Sequence, residues 1–284
     1  MKIAIIIDSS TGLTKEEAQK HNLYYLPLCI NIDDKEYLDG VDLVSEEVFG
    51  LINKNSKVFT SATPIGMALE LIEKLKKEYD KIIIYPISHK LSSQYSNLAA
   101  AFANDEKVHV VKSNKISALI ILDIIRFKNN LKNNTPLTEA LQKLEENFEG
   151  DVCLVPKYND ALVRGGRLSP SAASIAKLLK IVPIIQFKEG ALEKRGKGRI
   201  FHRALINTYK EVYEQNPNYK TFLIHSNNPE INDLKAKLQD ISHNKIQIFK
   251  IPNVVSIHTW VEAVVLVHVN WTEDEIEEAT KIFS

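Results

Sequence analysis

The sequence predicts an α/β protein with two α/β domains, covering residues 1–150 and 151–284. In the first half, strand-like runs lead repeatedly through loops rich in hydroxyl side chains into helix-like runs, which is typical of a parallel sheet with crossover helices. The second half continues the alternation after a break at Glu149, Gly150 and Asp151. A chain of 284 residues is long enough for two such domains.

The composition excludes several classes of protein. The 36 basic and 36 acidic residues balance, so no overall charge favours nucleic acid or a membrane surface. The first apolar run, residues 3–7, is too short for a signal peptide or a membrane span. Cys29 and Cys153 lie in separate apolar runs without metal-ligand spacing, which predicts free thiols in a reducing compartment. We therefore expect a cytoplasmic protein that binds no nucleic acid and does not insert into membranes.

The first strand and the residues after it introduce the first candidate site. Residues 3–7 form a continuous apolar run, as expected of a parallel strand buried on both faces. Asp8, Ser9 and Ser10 follow directly, at the strand end where open α/β sheets bind ligands. Ordinary turn and capping chemistry explains the same three residues equally well.

The next segments predict regular elements. Thr14 and Glu17 have the spacing of a capping box at a helix start. Residues 24–32 predict a single strand, and residues 33–36 predict a hairpin turn after it.

Hydroxyl side chains then recur at two further strand ends. Thr60 and Ser61 precede a helix that we expect to begin at Pro64, and Ser92 and Ser93 precede the next helix. Hydroxyls and unpaired N–H groups at a helix start suit a small anionic group. The alternative is that one hydroxyl caps each helix and the others have no role. The chain lacks G-x-G-x-x-G and G-x-x-x-x-G-K-[ST], so the sequence predicts no nucleotide site.

The densest candidate site is the Gly165-Gly166 pair with an arginine on each side, Arg164 and Arg167. Adjacent glycines allow a close backbone approach to a ligand, and a guanidinium suits a carboxylate or a phosphate. Residues 169–170, serine and proline, predict the cap and first residue of a helix over residues 171–179. The alternative is an ordinary turn with two solvated arginines.

Later segments add a hairpin, a basic turn and a histidine. Residues 181–194 predict the hairpin, and residues 195–199 predict a basic turn that is either solvated or docks an acidic partner or phosphate. His258 lies beside a strand end, where it is either a structural hydrogen-bond partner or part of a site. His258 and Glu262 are four residues apart, but no third metal ligand is nearby.

In their order and spacing, these pieces resemble the DegV family, which includes the fatty-acid-binding subunits of bacterial fatty acid kinase. The resemblance covers nearly the whole chain and rests on Asp8-Ser9-Ser10, Thr60-Ser61 before Pro64, Leu91-Ser92, Gly165-Gly166-Arg167 and the C-terminal His258.

The resemblance implies a ligand site in the cleft between two α/β domains, with the acyl chain in an apolar tunnel. It implies that the chain is not an enzyme itself and needs no cofactor. Instead it presents a long-chain fatty acid to a separate ATP-dependent kinase. The residues that match the carboxylate site are Thr60, Ser61, Ser92, Arg167 and His258, with Ser93 beside them.

The sequence also departs from the family pattern. The family usually continues after its histidine as threonine, glycine, proline, glycine, whereas here Thr259 is followed by Trp260-Val261-Glu262. Ser93 and Gln94 replace a usual glycine and threonine. These departures favour lipid binding over coupling to a kinase. Two alternatives stay open: a lipid carrier that serves no kinase, and a hydrolase or transferase that acts on a small carboxylate through Ser92 and His258.

Overall fold

The computed structural model describes residues 1–53, 55–178 and 180–283. The chain forms two compact units. The first unit comprises Met1–Glu146, Pro252–Val254 and Lys281–Ser284, and the second comprises Asn147–Ile251 and Val255–Thr280.

The elements up to Glu146 alternate between strands and helices. The strands are β1 Ile3–Asp8, β2 Tyr24–Leu26, β3 Cys29–Ile32, β4 Lys35–Leu38, β5 Val58–Ser61, β6 Lys81–Tyr85 and β7 Val108–Val110. The helices are α1 Lys15–Lys20, α2 Ile65–Leu75, α3 Gln94–Ala101, α4 Ala118–Lys132 and α5 Leu137–Glu145, with 3-10 turns at Ser9–Thr11 and Ser45–Leu51.

The elements after Asn147 continue the same alternation. The strands are β8 Gly150–Val155, β9 Val182–Lys188, β10 Ala191–Gly198, β11 Lys220–His225, β12 Gln247–Lys250 and β13 Val264–Val269. The helices are α6 Asp160–Gly165, α7 Pro170–Ala176, α8 Phe201–Gln215, α9 Ile231–Ser242, α10 Asn253–Thr259 and α11 Glu273–Ile282.

The described part of the first unit contains a parallel sheet with the strand order β2-β1-β6-β7, as the sequence predicts. β1 pairs with β2 on one side and with β6 on the other, so that Ile6 lies opposite both Tyr24 and Ile84. Ile6, Ile82 and Ile84 pack with residues of α2 and α3 in one buried cluster. Each such side chain contributes about 1.5–3 kcal/mol by leaving water, which explains the apolar run at the start of the chain.

Two strand predictions for the first unit were wrong. The run over residues 24–32 is divided into β2 and β3, because Pro27 has no N–H to continue the ladder. β5, which carries Thr60 and Ser61, belongs to a second sheet with the order β4-β3-β5, where both pairings are antiparallel. Pro64 is the residue before α2 rather than its first residue.

The residues after β1 have structural partners. The Asp8 carboxylate accepts hydrogen bonds from the backbone N–H groups of Ser10 and Ile87, at 3.0 and 2.7 Å. The hydroxyl of Ser9 accepts one from the N–H of Leu28 at 3.1 Å, and all three polar residues from 8 to 10 are buried. These contacts match the turn and capping interpretation. The capping box of Thr14 and Glu17 is also present.

In the second unit, the described residues form a mixed sheet with the order β10-β9-β8-β13-β11-β12. α8 and α9 cover one face through a buried cluster that includes Leu205, Tyr209 and Leu234. The predicted hairpin is β9 and β10, but the predicted basic turn was wrong, because residues up to Gly198 continue β10. Arg195 lies at a bulge in that strand and pairs with the carboxylates of Asp151 and Glu211. Arg195 is thus neutralised by opposite charges within this edge strand.

The Gly-Gly segment also differs from its prediction. Residues 161–165 lie in α6, and only Gly166 takes a left-handed conformation, with φ +65°. Ser169 caps α7 and Pro170 is its first residue, as predicted, but the helix ends at Ala176. Leu179, the end of the predicted helix, lies outside the described residues.

Candidate functional site

The second unit brings Arg167 and His258 to the same peptide group. Arg167 is exposed, and its Nη1 donates a hydrogen bond to the carbonyl oxygen of Gly165 at 2.7 Å. His258, near the end of α10, packs its imidazole against the α-carbon of Gly165. A β-carbon built on Gly165 would lie only 2.6 Å from His258 Nδ1. We call Gly165, Arg167 and His258 the Gly165 cluster.

The imidazole of His258 is half-buried, and this determines its charge. Burial, together with the positive charge of Arg167, lowers the pKa of His258 from 6.5 to about 4. The ring is therefore neutral at pH 7 and can act as both a donor and an acceptor of hydrogen bonds. The cluster combines one permanent positive charge with one neutral polar ring, which suits an anion with two oxygens.

This lowered pKa makes a testable prediction for stability. The unfolded chain takes up a proton on this histidine near pH 6.5, whereas the folded chain does so only near pH 4. The folded protein therefore loses stability as the pH falls through this window, by about 1–2 kcal/mol for this group at pH 5. We expect His258→Gln to reduce the loss of unfolding free energy between pH 7 and pH 5, as measured by urea denaturation.

The control for this prediction is His243→Asn, which replaces an exposed histidine in the same unit. It keeps a residue type that tolerates the left-handed backbone at this position, φ +57°. An equal pH dependence in wild type and His258→Gln would contradict the assigned protonation.

The loop after His258 has an unusual backbone. Trp260 and Glu262 both have left-handed conformations, with φ +64° and +63°. Such a conformation costs a non-glycine residue roughly 1–2 kcal/mol, so surrounding contacts must hold it. The backbone of Glu262 donates to Ser226 O at 2.5 Å and accepts from the Asn228 side chain at 2.7 Å.

The carboxylate of Glu262 is held as well. The hydroxyl of Tyr158 donates to Glu262 Oε1 at 3.2 Å, and Lys157 Nζ lies 3.7 Å from Glu262 Oε2. Lys157 and Tyr158 precede α6, the helix that ends at Gly165. These contacts connect the loop after His258 with the segment that leads to Gly165. The sequence pattern did not indicate them.

The first unit carries the four candidate hydroxyl residues on two segments. Thr60 is half-buried at the end of β5, and exposed Ser61 accepts a hydrogen bond from Asn31 Nδ2 at 3.3 Å. Ser92 is half-buried and accepts from the backbone N–H of Gln94 at 3.2 Å, while Ser93 is exposed.

Gln94 connects these two segments. Its buried side chain accepts a hydrogen bond from the backbone N–H of Thr63 at 2.9 Å and donates one to the Thr63 hydroxyl at 2.8 Å. Thr63 in turn donates to Pro27 O at 2.7 Å. The contact keeps the segment after Ser61 beside the segment after Ser93. The sequence Ser92-Ser93-Gln94-Tyr95 gave no signal of this role.

A buried carboxylate supports the start of α10. Asp39 Oδ2 accepts a hydrogen bond from the backbone N–H of Val254 at 3.2 Å, and both residues belong to the first unit. Burial raises the pKa of Asp39 to about 7. Asp39 therefore satisfies a backbone donor in the first turn of α10.

Comparison with known proteins identifies the family. The family model described as "Uncharacterised protein, DegV family" matches residues 2–270. The chain belongs to the DegV family. A DegV domain-containing protein of Mycoplasmopsis pulmonis is 42% identical over 288 aligned residues, and the alignment covers 100% of each chain. The family predicted from the sequence is thus confirmed.

Solved DegV structures share the fold. A fatty acid binding DegV family protein from Streptococcus agalactiae aligns with a TM-score of 0.83 at 22% identity, covering 96% of this chain and all of its own. DegV of Bacillus subtilis, described as a fatty acid binding protein, aligns at 0.79 and 25% identity, covering 95% of this chain and all of its own. These alignments confirm the predicted two-domain α/β class. Among the described residues, no helix is long and apolar enough to cross a membrane.

Proposed function

We propose that this DegV protein binds a long-chain fatty acid and that Arg167 and His258 receive its carboxylate. One observation carries the proposal: the guanidinium and the imidazole meet at the Gly165 peptide. DegV proteins of Streptococcus agalactiae and Bacillus subtilis are described as fatty acid binding, which supports the choice of ligand.

The charges of the cluster suit this ligand. Without an anion, burial lowers the pKa of His258, and the positive charge of Arg167 lowers it further. A bound carboxylate would offset the Arg167 charge and make protonation of His258 easier. The arginine supplies the positive charge that selects an anion. The histidine supplies a hydrogen bond, and its protonation becomes easier once the anion is bound.

We also propose that Thr60, Ser61 and Ser92 donate hydrogen bonds to the same carboxylate, as the family resemblance implies, and that Ser93, which replaces a usual glycine, adds a further donor beside them. Ser92→Ala and Arg167→Ala, tested singly and together by calorimetric titration, decide this point. Residues that bind one carboxylate give non-additive losses of binding free energy, whereas independent residues give additive ones. The control is Ser96→Ala, which removes an exposed hydroxyl from α3, the helix that follows Ser92, together with its hydrogen bond to the Ser93 carbonyl oxygen.

In this proposal, the chain presents the fatty acid and a separate kinase does the chemistry. The kinase supplies ATP, a carboxylate oxygen attacks the γ-phosphorus, and the bond to ADP breaks. The products are an acyl phosphate and ADP. In this proposal the DegV chain contributes binding and orientation of the carboxylate, and its sequence contains neither G-x-G-x-x-G nor G-x-x-x-x-G-K-[ST].

The first experiment tests whether the purified protein retains a lipid. Native mass spectrometry should show a mass increase equal to one long-chain fatty acid, and this increase should disappear after extraction with organic solvent. The extracted protein should then bind added fatty acid in a titration. Protein that carries no lipid from several expression hosts and binds none when it is added would refute the proposal.

The second experiment separates presentation from storage. With a bacterial fatty acid kinase and ATP, acyl phosphate is trapped as the hydroxamate, beside a binding titration on the same protein. Because Trp260 and Glu262 follow the histidine, we expect binding to be intact and acyl phosphate formation to be slow. Fast acyl phosphate formation that is lost in His258→Ala would show that the protein presents its fatty acid to the kinase. Fatty acid binding without acyl phosphate formation would indicate a lipid carrier that serves no kinase.

A further inference from the structure

Gly165 contacts both candidate side chains, one on each side of its peptide. Its carbonyl oxygen accepts the hydrogen bond from Arg167 Nη1 at 2.7 Å. Its α-carbon faces the ring of His258, so that an added β-carbon would lie 2.6 Å from Nδ1, 3.3 Å from Cγ and 3.4 Å from Cβ. The nearest atoms therefore include the base of the histidine side chain as well as its ring.

Position 165 requires glycine because there is no room for a β-carbon beside the His258 ring. Gly165 is the last residue of α6 and is not in a left-handed conformation, so its backbone geometry is open to alanine. Gly166 is the opposite case: it has φ +65°, and a β-carbon built on it would meet no described residue within 4 Å other than its chain neighbours. The two adjacent glycines thus satisfy different requirements, since Gly166 allows the turn and Gly165 leaves room for the imidazole.

We propose that Gly165 is a positioning residue for the carboxylate site, whose bare α-carbon seats the His258 imidazole and whose carbonyl oxygen orients the Arg167 guanidinium. The expected effect on fatty acid affinity rests on the proposed function. The packing of the His258 ring against Gly165 does not depend on a ligand. Contacts shorter than 3 Å between carbon and nitrogen are strongly repulsive, so any side chain at this position must displace the ring.

The test is Gly165→Ala, studied first without fatty acid. NMR of the imidazole should show changed chemical shifts and a changed titration midpoint for His258, because the displaced ring has a different exposure and a different distance from Arg167. Fatty acid affinity, measured by titration, should fall about tenfold, the loss expected for one hydrogen bond to a charged group.

Two further variants make the test specific. In a His258→Ala background the obstructing ring is gone, so adding Gly165→Ala should change affinity by less than about twofold. The matched control is Gly66→Ala in α2, where an added β-carbon would meet no described residue within 4 Å apart from its chain neighbours and the backbone of its own helix. It should leave both the His258 titration and the affinity unchanged.

The outcomes distinguish the two proposals. Gly165→Ala that leaves the His258 titration unchanged overturns the positioning role. If the wild type binds no fatty acid, the proposed function fails, and the NMR titration alone decides the positioning role. If Gly165→Ala folds poorly while the double variant with His258→Ala folds well, the contact with the ring is supported. If both fold poorly, it is refuted.

Discussion

Replacing Arg167 by alanine is expected to weaken fatty acid binding by roughly ten- to a hundredfold. The guanidinium is the permanent positive charge of the Gly165 cluster, and hydrogen bonds to charged groups contribute about 1.5–3 kcal/mol. The side chain is exposed and bonds only to the Gly165 carbonyl among the contacts described, so the fold should be unaffected. Calorimetric titration of lipid-free protein measures the effect.

The matched control is Arg164→Ala, which removes an exposed arginine from the last turn of α6. It should change affinity by less than about twofold, because only nonspecific attraction is lost. Arg167→Lys should restore binding in part, since an ammonium keeps the charge but lacks the planar fork. Equal binding by Arg167→Ala and wild type would remove Arg167 from the carboxylate site.

Replacing Lys115 by methionine is expected to destabilise the first unit by about 3–5 kcal/mol. Lys115 is only 2% exposed, and its Nζ lies 3.0 Å from Asp123 Oδ2. It also donates to Asn114 Oδ1 at 3.0 Å and to the carbonyl oxygens of Leu144 and Glu146. The ammonium thus holds the end of α5 against α4.

The reason for the large effect is the charge that remains. Burial already raises the pKa of Asp123, and Lys115 counteracts this shift. Without the ammonium, Asp123 keeps the hydrogen bond from Tyr85, at 2.7 Å, and the smaller attraction of Arg126. Urea denaturation at pH 7 measures the loss. The control is Lys143→Met, which breaks an exposed pair with Glu139 and should cost at most about 0.5 kcal/mol. Similar small losses in both variants would contradict the prediction.

Sequence reasoning was most successful where local pattern determines structure. The buried run of β1, the capping box of Thr14 and Glu17, and the cap at Ser169 all follow from neighbouring residues. Sequence reasoning failed where a residue's structure depends on partners that are far away in the sequence. Residues 195–199 are predicted as a turn by their basic residues and glycines, yet residues up to Gly198 continue β10 because they pair with β9, and Arg195 finds its partners in Asp151 and Glu211.

The candidate site divides in the same way. Residue types alone marked Arg167 and His258, but their meeting at Gly165 depends on how α6 and α10 pack, which no local pattern contains. The Gly-Gly pair predicted flexibility for both glycines, whereas only Gly166 uses it. The left-handed backbone of Trp260 and Glu262 was not predictable either, because neither residue type favours it.

The position of β13 restricts the order in which the protein can be completed during synthesis. β2, β1, β6 and β7 have all been made once the ribosome has passed Val110, so the parallel sheet needs no later strand. The other large sheet is different, because β13 lies between β8 and β11 and pairs with both. A nascent chain that ends before Val264 leaves those two strands without their common neighbour. The sheet of the second unit therefore lacks a central strand until residues 264–269 have been made, long after Arg167 itself.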